Sequence, residues 1–309
     1  MSTIILHHYG TSPYSEKIRA VLGFKKLDWK SVTAAAIMPK PDLLPLTGGY
    51  RRIPVMQIGR DIYCDTRLIV QVLERLHPAP ALIPGPLRAS CAAFTFLEPT
   101  LFMAAVGTTL QPAGVQALIQ GLGREAFERF IQDRTKLFSG GKTERPNSDL
   151  VSSHFPTLAG ALDAQLAEHP FLLGSEPTLA DFIAYHPIWF IGRNPGVASC
   201  LEPFKNIATW RARIKALGHG QPTELTAAEA MEIARTSQEG QPFEGAPLTL
   251  ENLSLGQRVI VHASDYGIEP VEGTLVHASS IEVAIQRNDD RAGEVVVHFP
   301  RVDFKISAA

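Results

Sequence analysis

Pro54 stands at the head of a short apolar run, Val55-Met56-Gln57-Ile58, soon after the glycine-bearing loop Thr47-Gly48-Gly49. Proline has no backbone N–H to give to a β-ladder, so within a sheet it is confined to a strand start or an edge. A cis bond between Ile53 and Pro54 turns the Ile53 backbone N–H and C=O outward, toward an extended ligand. Some forty residues earlier, Ser12-Pro13-Tyr14-Ser15 occupies the turn between an apolar strand, Ile4-Ile5-Leu6, and an amphipathic helix from about 13 to 22. Ser12 is a natural N-cap and Pro13 fits the first helical position, where no donor is needed. The turn therefore places a hydroxyl and the positive end of a helix at one point, a setting that favours an anion.

After the proline strand comes Cys64-Asp65-Thr66, then Ile69, Val72, Leu73 and Leu76 at helical spacing. Asp65 and Thr66 cap this helix with a carboxylate and a hydroxyl. Strand, helix, strand, loop, proline, hairpin and helix follow in the order of a thioredoxin-like α/β unit.

Residues 1 to about 77 resemble the glutathione-binding domain of the glutathione S-transferase superfamily, and residues 88 to about 218 resemble its all-helical second domain. The resemblance implies that Ser12 activates the thiol, in the place of the first cysteine of the related glutaredoxin Cys-Pro-Tyr-Cys motif. Ser15 matches the second cysteine, so dithiol exchange at this motif is excluded. Tyr9 is the alternative activator, because some branches of the family use a tyrosine there. Ile53 and Pro54 match the residue that pairs with the glutathione backbone and the cis-proline. Asp65-Thr66 matches the pair that holds the γ-glutamyl end, and Arg52 stands where a Lys or Gln often meets the glycine carboxylate. Thr178-Leu179-Ala180-Asp181 matches the capping box inside the family's helical domain. The electrophile is expected against the first helix of that domain, around Phe102, Met103 and Val106, with Tyr14 at the rim. A homodimer is implied by the resemblance alone.

The chain has 309 residues, 45% of them hydrophobic, which allows two or three domains with ordinary cores. Its prolines divide it. Four fall among residues 77–86, a segment that reads as an interdomain linker. Helices are expected at 88–110, with Pro99 as a kink, and near 123–138, 150–168, 179–192 and 207–217. A short helix at about 226–237 and a polar linker over 238–247 lead to a different region. From 249 to 309, short β-rich runs at about 258–262, 272–276, 280–287 and 294–299 lead to the expectation of a small antiparallel, SH3-like barrel. In it, Val296-Val297-His298-Phe299-Pro300-Arg301 reads as an edge strand with His298 and Arg301 outward. The transferase resemblance does not reach this region, which is a candidate docking site for a protein partner.

No uninterrupted apolar run reaches the roughly 18 residues of a membrane span. The start, Met1-Ser2-Thr3, lacks a basic segment, and three widely spaced cysteines show no metal-ligand pattern, so a cytoplasmic protein without a metal is expected. A net charge of −2 makes no case for nucleic acid, and from Thr249 onward five Lys or Arg face nine Asp or Glu. Cys64 is expected to be buried and inert, and His7 and His8, consecutive on a strand, should point to opposite faces. Phe182, Tyr185, Trp189 and Phe190 read as core. Three functions fit these residues: a glutathione-dependent transferase acting on a small electrophile, a glutathione-dependent isomerase or dehalogenase, and a binding or scaffold protein that keeps the fold.

Overall fold

A computed structural model describes residues 3–143, 148–238 and 240–309, with only the backbone over 148–151. Residue 239 of the expected linker and the first two residues lie outside it. The N-terminal part is thioredoxin-like. Strand β1 (Ile4–His8) leads into helix α1 (Pro13–Phe24), followed by β2 (Asp28–Thr33), a one-turn helix α2 (Leu44–Thr47), the hairpin β3 (Val55–Ile58) and β4 (Asp61–Cys64), and α3 (Thr66–Leu76). β1 pairs parallel with β2 and antiparallel with β3, and β3 pairs antiparallel with β4. The Ile53–Pro54 bond is cis and Pro54 directly precedes β3, as a strand-start proline must.

The second part is helical: α4 (Arg88–Thr109), α5 (Pro112–Leu122), α6 (Arg124–Leu137), α7 (Ser148–Glu168), α8 (Leu179–Gly192) and α9 (Lys205–Ala216). α8 is held by its capping box, in which the Asp181 carboxylate accepts from Thr178 N at 2.8 Å, from Leu172 N at 2.8 Å and from Trp210 Nε1 at 2.9 Å. Phe182 and Tyr185 are buried on it, while Trp189 and Phe190 are half-buried. One core joins α1 and α3 to α4, α7, α8 and α9, so the two parts share their apolar interior. With the preceding turn, α4 is long and apolar enough to cross a membrane by length and composition, the one such helix among the described residues. In this structure one side of it packs on α7 and α8, and a stripe including Ala89, Ala92, Ala93 and Phe96 is exposed.

The chain then returns to the sheet. β5 (Gln221–Glu224) pairs parallel with β2, and helix α10 (Ala227–Thr236) packs Ala230 on Ile5 and Val32, covering the sheet face opposite the helical domain. Five further strands follow: β6 (Arg258–Ala263), β7 (Val271–Ala278), β8 (Glu282–Asp289), β9 (Gly293–Pro300) and β10 (Phe304–Ala308). All five pair antiparallel in the order β10-β6-β7-β8-β9. The ladder does not stop there. β9 pairs parallel with β4, through Asp61↔Val296 to Tyr63↔His298, and a ten-stranded ladder results. Among the described residues no pairing joins β9 to β10. The C-terminal strands thus extend the N-terminal sheet and share a second core with Val55, Ile62 and Cys64.

Candidate functional site

A cavity of about 270 Å³ lies where the thioredoxin-like part, the helical part and the C-terminal strands meet. The first part contributes Tyr14, Arg52, Ile53, Pro54, Asp65 and Thr66 to its lining, and α4 contributes Phe102 and Met103. Eight residues expected at the site from sequence are therefore together on one surface.

Local structure explains their placement. Asp65 sits at φ +72°, a backbone region that non-glycine residues rarely adopt, and its Oδ1 accepts from Arg67 N at 2.9 Å as the cap of α3. Such conformations concentrate at ligand sites, where surrounding structure holds them in place. Thr66 follows as the first residue of the helix, so a carboxylate, a hydroxyl and a helix N-terminus converge. Across the cavity, the Tyr14 ring packs on Phe102 and on His186, each at 4.8 Å between centroids. Beneath it lies a buried charge pair, Lys17 Nζ to Glu98 Oε1 at 2.5 Å, with His186 Nε2 donating to the same oxygen at 2.8 Å. Burial alone would raise the Glu98 carboxyl, but the Lys17 charge and the His186 hydrogen bond bring it down to about 2. Burial lowers His186 and pushes Tyr14 up, so the imidazole is neutral and the phenol keeps its proton.

Three expected residues lie outside the lining. Ser12 is buried as the N-cap of α1, where its Oγ accepts from Ser15 N at 3.1 Å. The neighbouring Ser15 Oγ is buried with no hydrogen-bond partner. Tyr9 is half-buried at the end of β1, and its carbonyl accepts from Ser12 N and Arg19 Nη1. Val106 is half-buried one turn beyond Phe102. Cys64 is fully buried, and burial pushes its thiol well up, as expected of an inert cysteine. His7 and His8 diverge as alternation requires, the first to Gln57 and the second to Arg19 and Ser31. Among the described residues no group of three or more His, Cys, Asp or Glu is placed to hold a metal.

The remaining wall was not foreseen. The segment between β6 and β7 brings Ser264, Asp265 and Tyr266 to the cavity, and the segment after α6 brings Phe138, Lys142 and Thr143. The two segments interlock. Lys142 N donates to Ser264 O and Thr143 N to Asp265 O, both at 3.0 Å, and Gly267 N donates to Leu137 O at 2.7 Å. A Cβ on Gly141 would lie 1.8 Å from Asp265 O, and Gly267 has φ +55° with Leu137 and Arg52 beside it. Only glycine permits either approach. Tyr266 stacks on Phe138 at 4.5 Å and covers the Arg52 guanidinium at 3.8 Å. Asp265 forms an ion pair with Arg52. Arg52, expected to be open to a ligand carboxylate, thus already has one beside it. The sequence signals here are the loop Ser139-Gly140-Gly141 and the turn Asp265-Tyr266-Gly267, which mark changes of direction and carry no information on what they touch.

Comparison with known proteins adds to this geometry. Residues 6–81 match the family model for the glutathione S-transferase N-terminal domain, and residues 133–219 match that for the glutathione S-transferase C-terminal domain. The crystal structure of a GST-like protein from Pseudomonas syringae is similar over 100% of both chains, with 34% identity and a TM-score of 0.82. A glutathione S-transferase from Rhodospirillum rubrum F11 is 20% identical over 69% of this chain and 88% of its own, with a TM-score of 0.52. The beta-etherase LigF from Sphingobium sp. strain SYK-6 is 19% identical over 69% of this chain and 95% of its own, with a TM-score of 0.51. The last two show the fold alone. Among curated proteins no sequence matches.

Proposed function

The chain belongs to the glutathione S-transferase superfamily, and on that premise we propose that it is a glutathione-dependent transferase presenting the tripeptide's thiolate to a small electrophile. The observation that carries this reading is the meeting, on one cavity, of the cis Ile53–Pro54 bond, the Asp65-Thr66 helix start and the apolar wall of Phe102 and Met103. In this reading the proline loop holds the ligand backbone, Asp65 and Thr66 hold its γ-glutamyl end, and the electrophile lies against Phe102 and Met103, with Val106 behind them.

A free thiol titrates near 8.5, and keeping it mostly ionised at neutral pH takes about 2.7 kcal/mol of differential stabilisation. One hydrogen bond from a hydroxyl to a charged sulfur contributes about 1.5–3 kcal/mol and a helix N-terminus about 0.3–1 kcal/mol. Ser12 is the proposed donor, because its oxygen accepts from Ser15 N and its own proton remains to give. It donates to the thiolate and attacks nothing, so no general base is needed. Tyr14 is a second candidate, since its protonated hydroxyl belongs to a ring that lines the cavity, and Tyr9 is a third.

Calorimetry with glutathione, and turnover with an activated aryl halide, test the reading. Ser12→Ala should bind the tripeptide and lose about 10–100-fold in rate. Full activity in Ser12→Ala together with loss in Tyr14→Phe or Tyr9→Phe moves the activator to that tyrosine. No binding by folded protein at millimolar glutathione rejects the transferase and favours a scaffold that keeps the fold. Product analysis separates conjugation from isomerisation or dehalogenation.

The exposed apolar stripe on α4 supports a homodimer, Phe96 being 65% exposed there. The expected change in Phe96→Glu is a shift toward monomer in light scattering. All three cysteines are free, which fits a reducing compartment such as the cytoplasm.

A further inference from the structure

Arg52 is expected to hold a ligand carboxylate, and a carboxylate of this chain is already seated on it. Nη1 donates to Asp265 Oδ2 at 3.3 Å and Nη2 to Asp265 Oδ1 at shorter range, a two-pronged arrangement like that by which arginine takes up a carboxylate ligand. Nη2 also donates to the Tyr266 carbonyl, and Asp65 Oδ2 stands 3.7 Å from Nη1. The Nε that remains is buried close to Gly267.

Asp265 is not on a free loop. Its own carbonyl accepts from Thr143 N at 3.0 Å, Ser264 N donates to Asp303 O at 2.7 Å, and Gly267 N donates to Leu137 O at 2.7 Å. Tyr266 is stacked between Phe138 and Arg52. The backbone that presents the carboxylate is therefore pinned, and withdrawing the whole turn means breaking several of these contacts together.

Charge points the same way. With Glu98 offset by Lys17 beneath it, the lining holds three cations, Arg52, Arg67 and Lys142, against three carboxylates, Asp65, Asp265 and Asp303. Arg67 is paired with Asp303 at 2.5 Å. Glutathione brings two carboxylates and a thiolate against one ammonium, into a lining with no surplus of positive charge. A relative whose C-terminal carboxylate is an amide or ester carries one negative charge fewer and sets a neutral group against the Arg52–Asp265 pair.

We infer that Asp265 is a specificity-determining residue, and that the site favours γ-glutamyl thiols, or their thioethers, with a masked C-terminal carboxylate over the free acid. The inference rests on the glutathione reading above. Calorimetry of the full chain with glutathione and with its glycine monoethyl ester tests it. The expected result is that the ester binds at least as tightly as the acid, and that Asp265→Asn strengthens the acid by about tenfold while moving the ester little. The wild-type ratio needs no variant, so a folding defect in Asp265→Asn does not remove the test. An acid bound about tenfold more tightly than the ester by the wild type overturns the inference. Loss of that preference in Lys142→Ala would then assign the ligand carboxylate to Lys142. An unchanged ratio in folded Asp265→Asn overturns it as well. Binding of neither ligand rejects the glutathione reading and the inference with it, whereas binding that prefers the acid rejects the inference alone.

Discussion

Both edges of the thioredoxin-like sheet are closed by strands from late in the chain, and the two closures are built differently. At β2, the four residues of β5 pair parallel and all are exposed, so the attachment is largely backbone, helped by Trp29 Nε1 donating to His219 O at 2.7 Å. At β4, the residues of β9 that pair with it are buried. His298 donates from Nε2 to Asp61 at 2.9 Å, stands 3.5 Å from Glu282 through Nδ1, and stacks on Tyr63 at 4.4 Å. An open edge invites pairing with another chain, and each closure occupies the edge it covers. Only the second also fixes the C-terminal strands to the sheet, and through them carries Asp265 and Tyr266 to Arg52. A backbone ladder suffices to cover an edge. Carrying a binding-site wall takes a buried, side-chain-specific joint.

The largest expected effect comes from His298→Ala. The imidazole separates Asp61 and Glu282, both almost fully buried, and its loss leaves two facing carboxylates without the cation between them. A cost of about 3–5 kcal/mol is expected in urea unfolding. A loss under about 1 kcal/mol would make the β4 edge no more specific than the β2 edge.

The same joint predicts a pH dependence. Burial alone would lower the His298 pKa, but its hydrogen bond to Asp61 and the negative charges of Glu282 and Asp61 beside it raise it overall. A raised folded value means that the contribution is complete below the ordinary imidazole pKa of about 6.5 and is lost as pH rises through the folded value. His7, inside the sheet with Gln57, behaves oppositely: burial lowers it to about 4. It costs stability as pH falls from about 6.5 toward that value. Stability measured against pH should fall on both sides of a maximum, and His298→Gln should remove the alkaline fall while keeping the acid one. An unchanged alkaline limb would show that His298 does not carry the charge at the β4 edge.

What the sequence revealed follows the same division. Ser12 at a helix start, Pro54 at a strand start and the Thr178–Asp181 box are local signals, and each is found where local chemistry puts it. The edges depend on pairings between residues far apart in the chain. Gln221-Pro222-Thr223-Glu224 has no apolar alternation, so β5 left no pattern to read. Val296-Val297-His298-Phe299 looks like an edge strand with an outward histidine, yet His298 is 0% exposed because β4 covers that edge. Asp265 gave only a turn signal for the same reason: its partner, Arg52, comes from another part of the chain.

Smaller effects test the β2 edge. Thr226 caps α10, accepting from Glu229 N at 3.2 Å while its own N–H donates to Glu229 at 2.9 Å. α10 in turn covers the sheet centre, where Gln57 Nε2 donates to Ala230 O at 2.8 Å. Thr226→Ala should therefore cost about 1 kcal/mol in urea unfolding. Thr223→Ala in β5 should change stability by no more than about 0.5 kcal/mol, because its exposed side chain makes only a long hydrogen bond, Oγ1 donating to Trp29 O at 3.5 Å, and its backbone pairing survives. Thr223→Pro separates the two contributions further, since a proline removes one N–H without touching α10 or its cap. If it proves as costly as His298→Ala, backbone pairing at the β2 edge is worth as much as the buried joint at β4, and the two closures are equivalent after all.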